Sequence, residues 1–312
     1  MLKLFVSRLL AVIPTLLFAS FIIFGLMHIG PSDPATLILG ENATVERIAE
    51  IRTQLGLDDP FVVQYGKWAG RVVQGDLGDS IIGSEPVTTI IGRAFPHTLQ
   101  LVLAGVFISV AVGLPLGVLA ATRANRPTDV AVTSGSVLGV SIPSFWLALV
   151  LISFFAVRLG WLPARGFVLV TEGMGDAFRT TVLPAIVVST SGIAIVTRQV
   201  RGALIEALSA DSVRTHMAKG LSGQKILWKY AMRNSGVTII TVIGLLVNTT
   251  LGATVVVETV FAIPGMGFRV LNAASGRDFP VIQGIVLTYV VIVLVLNFVI
   301  DILYRIIDPR IT

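Results

Sequence analysis

Cysteine is absent from the 312-residue sequence. Disulfides, thiolate nucleophiles, iron–sulfur clusters and cysteine-based zinc sites are thereby excluded. Charge is scarce as well: Asp, Glu, Lys and Arg make up 13% of the chain, against about 25% in a soluble domain. No Gly-x-x-x-x-Gly-Lys-Ser/Thr stretch occurs, so nothing here cradles the phosphates of ATP in the P-loop manner. The histidines, His28, His97 and His216, stand far apart and form no His-Glu-x-x-His pattern. No metal site is expected, and His28 and His97 are assigned to the outer membrane interface.

What the chain has instead is apolar residues, 54% of the total with a mean hydropathy of +0.88. They fall in long runs that exceed what one soluble core can bury, and the bilayer is the simplest sink for them. Uncharged stretches cover residues 9–29, 99–121, 130–157, 182–197, 237–257 and 281–300, which gives six spans. The first is longer than the apolar core of a signal peptide and no small-x-small cleavage site follows it, so it is read as an uncleaved span. The fourth is close to the lower length limit for a spanning helix. Prolines at 115, 143 and 184 are compatible with helices whose neighbours satisfy the freed backbone groups.

Net charge is +5, which in a soluble protein points to nucleic acid. Topology explains it better here, and no nucleic-acid partner is expected. Basic minus acidic residues sum to about +8 over the N-terminal tail, 123–129, 198–233 and the C-terminal tail, and to about −3 over the opposite loops. Both termini are accordingly expected in the cytoplasm. The central portions of the spans carry no Asp, Glu, Lys or Arg; Arg198, Glu258 and Asp301 fall near span ends and are read as interfacial anchors. That weakens an ion-coupled transporter, which needs such groups near the midplane.

Two connections are long. The outer one, residues 30–95, has an amphipathic helix at 44–55 (Val45, Ile48, Ile51 and Leu55 on one face), a second at 61–73 and the turn Gly75-Asp76-Leu77-Gly78. The inner one, 198–234, carries the sharper signal. Ser209 or Asp211 can cap a helix with Val213, Met217 and Leu221 at i, i+4 and i+8, ended by Gly220, with Arg214, Lys219, Lys225, Lys229 and Arg233 on its flanks. Such a helix either lies on lipid headgroups or seats in a groove of a soluble partner as a lever. Small and polar residues in the third and fifth spans, among them Ser141, Ser144, Asn248 and Thr249, serve close helix packing or line a polar path.

The segment Arg214-Thr215-His216-Met217-Ala218-Lys219-Gly220-Leu221-Ser222, continuing to Ala231-Met232-Arg233-Asn234, resembles the coupling loop of ABC importer permeases of the dipeptide/oligopeptide (peptide/nickel) family. Other segments are similar to the first permease subunit of that family: Pro31-Ser32-Asp33-Pro34-Ala35, Leu55-Gly56-Leu57-Asp58-Asp59-Pro60, Ser141-Ile142-Pro143-Ser144-Phe145-Trp146, Leu159-Gly160-Trp161-Leu162-Pro163, Val257-Glu258-Thr259-Val260-Phe261, Pro264-Gly265-Met266-Gly267 and Asp308-Pro309-Arg310-Ile311. Ser212, His216 and Met217 depart from the family's loop pattern, and Val237-Thr238 replace a proline-containing start of the fifth span.

The resemblance implies an all-α membrane protein with six transmembrane helices and the type I importer permease fold. Residues 1–95 would form the first helix and an outer loop subdomain, and 96–312 a five-helix core with a coupling helix at about 209–221. It implies an import function without bond chemistry: no cofactor in this chain, and ATP and Mg bound by partner ATPase subunits. The implied partners are a second permease subunit, two cytoplasmic ATPase domains, an extracytoplasmic peptide-binding protein and the lipid bilayer of a prokaryotic cytoplasmic membrane. Asp211, Arg214, Thr215, His216, Met217, Ala218, Lys219, Gly220 and Leu221 would meet the ATPase; Asp58, Asp59, Gly75, Asp76, Pro264 and Gly265 are candidates for meeting the binding protein. Permeases for nickel, glutathione or oligosaccharides share the family, and an ion-coupled secondary transporter or a membrane anchor for a soluble enzyme are rivals outside it.

Overall fold

The structure is a computed structural model and describes residues 2–29, 35–36 and 44–307. Motif residues 31–34 and 308–311, and the side chains of Lys3, Arg8, His28, Ile51 and Leu55, lie outside the described residues. Among the described residues the β-type pairing is limited to an isolated bridge between Asp79 and Pro86. Everything else that is regular is helix, as hydrocarbon demands of a backbone that has no water to bond.

The chain divides into two compact units, residues 1–95 with 268–295, and residues 96–267 with 296–312. In the first unit, α1 (Leu2–Ile29) is followed by α2 (Val45–Leu55) and α3 (Phe61–Val73). Thr44 caps α2 by accepting the Arg47 N–H, and Gly56 ends it at φ 65°. The hydrophobic side of α3 lies on α1: Phe61, Tyr65 and Trp68 meet Phe21 and Phe24 at ring separations from 5.3 Å, and the hydroxyls of Ser20 and Tyr65 bond at 2.8 Å. Such edge-on aromatic pairs add about 0.5–1.5 kcal/mol each beyond area burial.

The second unit holds most of α4 (Val87–Thr122), then α5 (Pro127–Ser141), α6 (Ser144–Leu151), α7 (Met174–Ser209), α8 (Asp211–Ala218) and α9 (Gly236–Phe261). The chain closes with α10 (Met266–Gly276) and α11 (Phe279–Ile307). The core of this unit is apolar contact between α4, α7 and α9, with Leu101, Leu183, Val188, Val257 and Phe261 in one cluster and Val196, Val200, Leu204, Val242 and Leu246 in another. Among the described residues, four helices are individually long and apolar enough to cross a membrane: α4, α7, α9 and the Phe279–Tyr304 part of α11. The first apolar segment is helical within α1, where residues 12–25 form a shorter apolar stretch.

The third and fourth expected spans differ most from the sequence expectation. The third, 130–157, is broken: α5 and the Ser144–Arg158 helix meet at 94°. Pro143 clashes with a helical residue before it, so Ile142 is extended at φ −80°, ψ 120° and α5 stops. Beyond Leu151 the helix widens into a π-turn segment, Ile152–Arg158. The fourth, 182–197, is the middle of a 36-residue helix, α7, so it is not a marginal span. Arg198 is exposed on that helix.

Candidate functional site

Residues 198–235 form the end of α7, α8 and a wide helical run leading to α9. The N-cap of α8 is Ala210, not Ser209 or Asp211: the Ser209 hydroxyl turns back to the Ile205 carbonyl, and Asp211 is the first helical residue. Its acid still sits where the helix dipole favours it. At the other end Gly220, at φ 75°, passes its N–H to Met217 and that of Leu221 to His216, closing the helix with paired carbonyls.

The expected apolar stripe is split by the structure. Val213 is buried at 1% exposure, whereas Met217 is 58% exposed and Leu221 half-buried. Val213 faces inward because α8 packs on α7 and on the π-turn segment Ile226–Ala231, whose Ile226 and Ala231 are also buried. The His216 ring stacks on Tyr230 of that segment at 3.9 Å between centroids. Asp211, Arg214, Thr215, Ala218, Lys219 and Gly220 are exposed. The Asp211–Arg214 pair at 3.6 Å is solvated and holds little. Ser235 bonds the Ala203 carbonyl at 3.1 Å, which fastens the start of α9 to α7.

The polar residues picked from the spans fall on neighbouring helices, since α6 packs on α9. Ser141 and Ser144 flank the bend, Ser141 exposed with its hydroxyl on the Val137 carbonyl and Ser144 half-buried. Thr249 is exposed and bonds back to Leu245 and Leu246. Asn248 keeps a buried Oδ1 with no hydrogen-bond partner among the described residues, a costly arrangement for an amide.

Of the residues expected to meet a binding protein, Asp58 and Asp59 pair with Arg52 at 2.9 Å and Lys67 at 2.6 Å. Gly75 adopts φ 85°, and Asp76 accepts the Gly78 N–H at 2.8 Å. These four belong to the first unit, Pro264 and Gly265 to the second. Pro264 is half-buried, whereas Gly265 is buried, with no room for a Cβ against the Glu258 carboxylate. Glu258 itself is fully buried and bonded to Thr98 at 2.7 Å. The reading of Glu258 as an interfacial anchor is therefore corrected: the turn after α9 folds back over its carboxylate. His97 is half-buried, its ring 6.0 Å from that of Phe167.

Three features escaped the sequence reading. Asp129 at the start of α5 forms a two-pronged ion pair with Arg201 of α7, at 2.5 and 2.7 Å. Thr98 joins Glu258 to the Met266 N–H. Gly105, Ser109, Gly113 and Gly117 make a small-residue stripe on α4 against Val188, Ser189, Val196 and Val200 of α7. The stripe was visible as a four-residue repeat; the two polar links join residues 72 and 160 positions apart and had no local signal.

Helices long and apolar enough to cross a membrane, four of them among the described residues, define an integral membrane protein. The chain belongs to the family described as binding-protein-dependent transport system inner membrane component, which matches residues 113–312; the matching N-terminal family covers residues 1–102. It is 38% identical to the oligopeptide transport system permease protein AppB of Bacillus subtilis over 309 residues, covering 98% of each chain. It is 37% identical to the di/tripeptide transport system permease protein DppB of Pseudomonas aeruginosa, covering 100% of this chain and 99% of that one. An inward-facing structure of the MetNI methionine ABC transporter matches with a TM-score of 0.58 at 20% identity, over 72% of this chain and 99% of that one. The fold is that of a type I importer permease.

Proposed function

We propose that the chain is one of two permease subunits of an importer that carries short peptides inward, driven by ATP hydrolysis on separate subunits. Full-length similarity to oligopeptide and di/tripeptide permeases supports the substrate class. The excess of Lys and Arg in the 198–233 loop orients that loop, and both termini, toward the cytoplasm. An extracytoplasmic binding protein delivers the peptide. Asp58, Asp59, Gly75, Asp76 and Pro264 are candidates for its contact surface, and Gly265 acts there by shaping the turn.

The observation that carries the reading is the presentation of α8. Val213 and His216 hold it to the body of the protein, while Arg214, Met217 and Lys219 remain exposed. A helix lying on lipid needs a broad apolar face; with Val213 turned inward, α8 offers one methionine between basic residues. Methionine in that position suits an adaptable protein groove. ATP and Mg belong to the partner that owns the groove.

Ser144 and Asn248, on packed helices, and the nearby Ser141 and Thr249 are candidates for the translocation path. The Asn248 Oδ1 is buried, so it would meet a peptide N–H only after the helices around it part. The test is uptake of a radiolabelled alanine dipeptide by proteoliposomes containing the complete complex. Accumulation is expected only with ATP on the side of the 198–234 loop. Uptake driven by a proton or sodium gradient without ATP contradicts the proposal.

A further inference from the structure

α5 packs along α7 but buries few side chains of its own. Most of its residues are exposed or half-exposed, and the two that are buried, Asp129 and Ser136, are both polar. Ser136 spends its hydroxyl on Val132 of its own helix. Among the described residues, the side-chain bonds from α5 to another helix are those between Asp129 and Arg201 of α7. They have the geometry of a strong pair: Nε to Oδ1 at 2.5 Å and Nη2 to Oδ2 at 2.7 Å, with Asp129 only 3% exposed. The carboxylate is further held by the Asn125 N–H at 2.9 Å and the Thr133 hydroxyl at 3.3 Å. The carboxylate end of the pair is thus fixed, and the guanidinium is held through its two bonds to it.

The location of this clamp matters as much as its strength. Arg201 lies nine positions before Ala210, the residue from which α8 departs, so about 13 Å of continuous helix joins them. Asp129 lies twelve positions before Ser141 and the bend that leads to Ser144, about 18 Å along α5. The pair therefore sits between the helix proposed to meet the ATPase and the serines proposed to line the path. We infer that Asp129 and Arg201 are a positioning pair that makes α5 follow α7, so that displacement of α8 is delivered to the Ser141–Ser144 bend. The ion pair adds a directional link to the packing of α5 on α7, whose buried side chains on the α5 side are the polar Asp129 and Ser136. The inference rests on the importer reading and adds to it the route by which the cytoplasmic event reaches the path.

The test uses the complete complex in proteoliposomes, measuring ATP hydrolysed, alanine dipeptide accumulated and folded complex recovered for Asp129→Asn, Arg201→Gln and Arg201→Lys. In Asp129→Asn and Arg201→Gln, uptake per ATP is expected to fall by about tenfold, a size typical of coupling between sites, while hydrolysis continues. Arg201→Lys keeps the charge but not the two-pronged contact, so it falls between; as the mildest variant it also guards against misfolding. A second readout exploits the absence of cysteine. In Asp129→Cys with Arg201→Cys, a bifunctional maleimide that ties the two positions restores uptake per ATP, and a monofunctional one does not. Unchanged uptake per ATP in the single variants overturns the inference, and so does a loss that merely tracks the amount of folded complex. An unmodified complex without ATP-driven uptake overturns the importer reading itself, and this inference with it.

Discussion

Thr98 donates its hydroxyl hydrogen to the Glu258 carboxylate at 2.7 Å, and its oxygen accepts the Met266 N–H at 2.8 Å. Both side chains are buried, so one hydroxyl joins α4, the end of α9 and the start of α10. Thr98→Val keeps the shape and removes both bonds. It should lower stability by about 1–3 kcal/mol through the Met266 N–H left unpaired, whereas Thr98→Ser should be close to wild type. Thermal unfolding of the detergent-solubilised protein decides: a Val variant as stable as the Ser variant would remove this hydroxyl from the account.

The glycine stripe of α4 makes a second prediction. A Cβ at Gly113 would lie 2.8 Å from the Val196 Cβ and 2.9 Å from the Ile193 carbonyl oxygen, and a backbone atom cannot yield without shifting the helix. Gly113→Ala is expected to cost about 1–3 kcal/mol by overpacking. Gly66 in α3 has open space around it, so Gly66→Ala should instead stabilise by roughly 0.5–1 kcal/mol through helix propensity. Melting temperatures that move the same way in both variants would contradict the packing argument.

Gly220 tests the end of α8. At φ 75° an alanine pays a left-handed backbone penalty of about 1–2 kcal/mol, enough to fray the turn that positions Met217 and Lys219. Gly220→Ala should depress transport at unchanged membrane abundance, with Gly220→Asn less severe because asparagine tolerates this region. Wild-type transport by the alanine variant would show that the helix end is not needed.

Asp278 holds the 79–86 segment of the first unit. Its carboxylate accepts the Ser80 hydroxyl at 2.5 Å and the Ile81 N–H at 3.1 Å, with both Ser80 and Asp278 buried. Asp278→Ala should speed limited proteolysis around residues 79–86, and Asp278→Asn, which keeps one acceptor, should do so less. Identical cleavage rates for both variants and the wild type would mean the segment is held by other contacts.

The apolar runs announced the helices because hydrocarbon leaves the backbone no alternative, and Gly220 announced the end of α8 because few other residues tolerate its conformation. The bend at Ile142 was legible in principle, since Pro143 forbids a helical predecessor, but a run of uncharged residues masks it in a hydropathy reading. Val213 and Met217 share a helical face by spacing, yet the packing of the 226–231 segment buries one and exposes the other; spacing carries no information about which turn a neighbour covers. Glu258 looked like an anchor at a span end because its partner, Thr98, is distant in the chain and the covering turn is closed by Gly265 and Gly267, which permit the close approach. The Asp129–Arg201 pair was hidden for the same reason of distance.

The central claim is that α8 seats in the ATPase subunit and carries its motion. A cysteine at Met217, the sole one in the chain, combined with a cysteine in the ATPase groove and oxidised in a complex competent for peptide uptake, tests it most directly. The account predicts a crosslink between the two subunits whose yield changes when nucleotide is bound, together with arrest of uptake that is reversed by reduction. No crosslink in an assembled, transporting complex, at any groove position and in either nucleotide state, would contradict it.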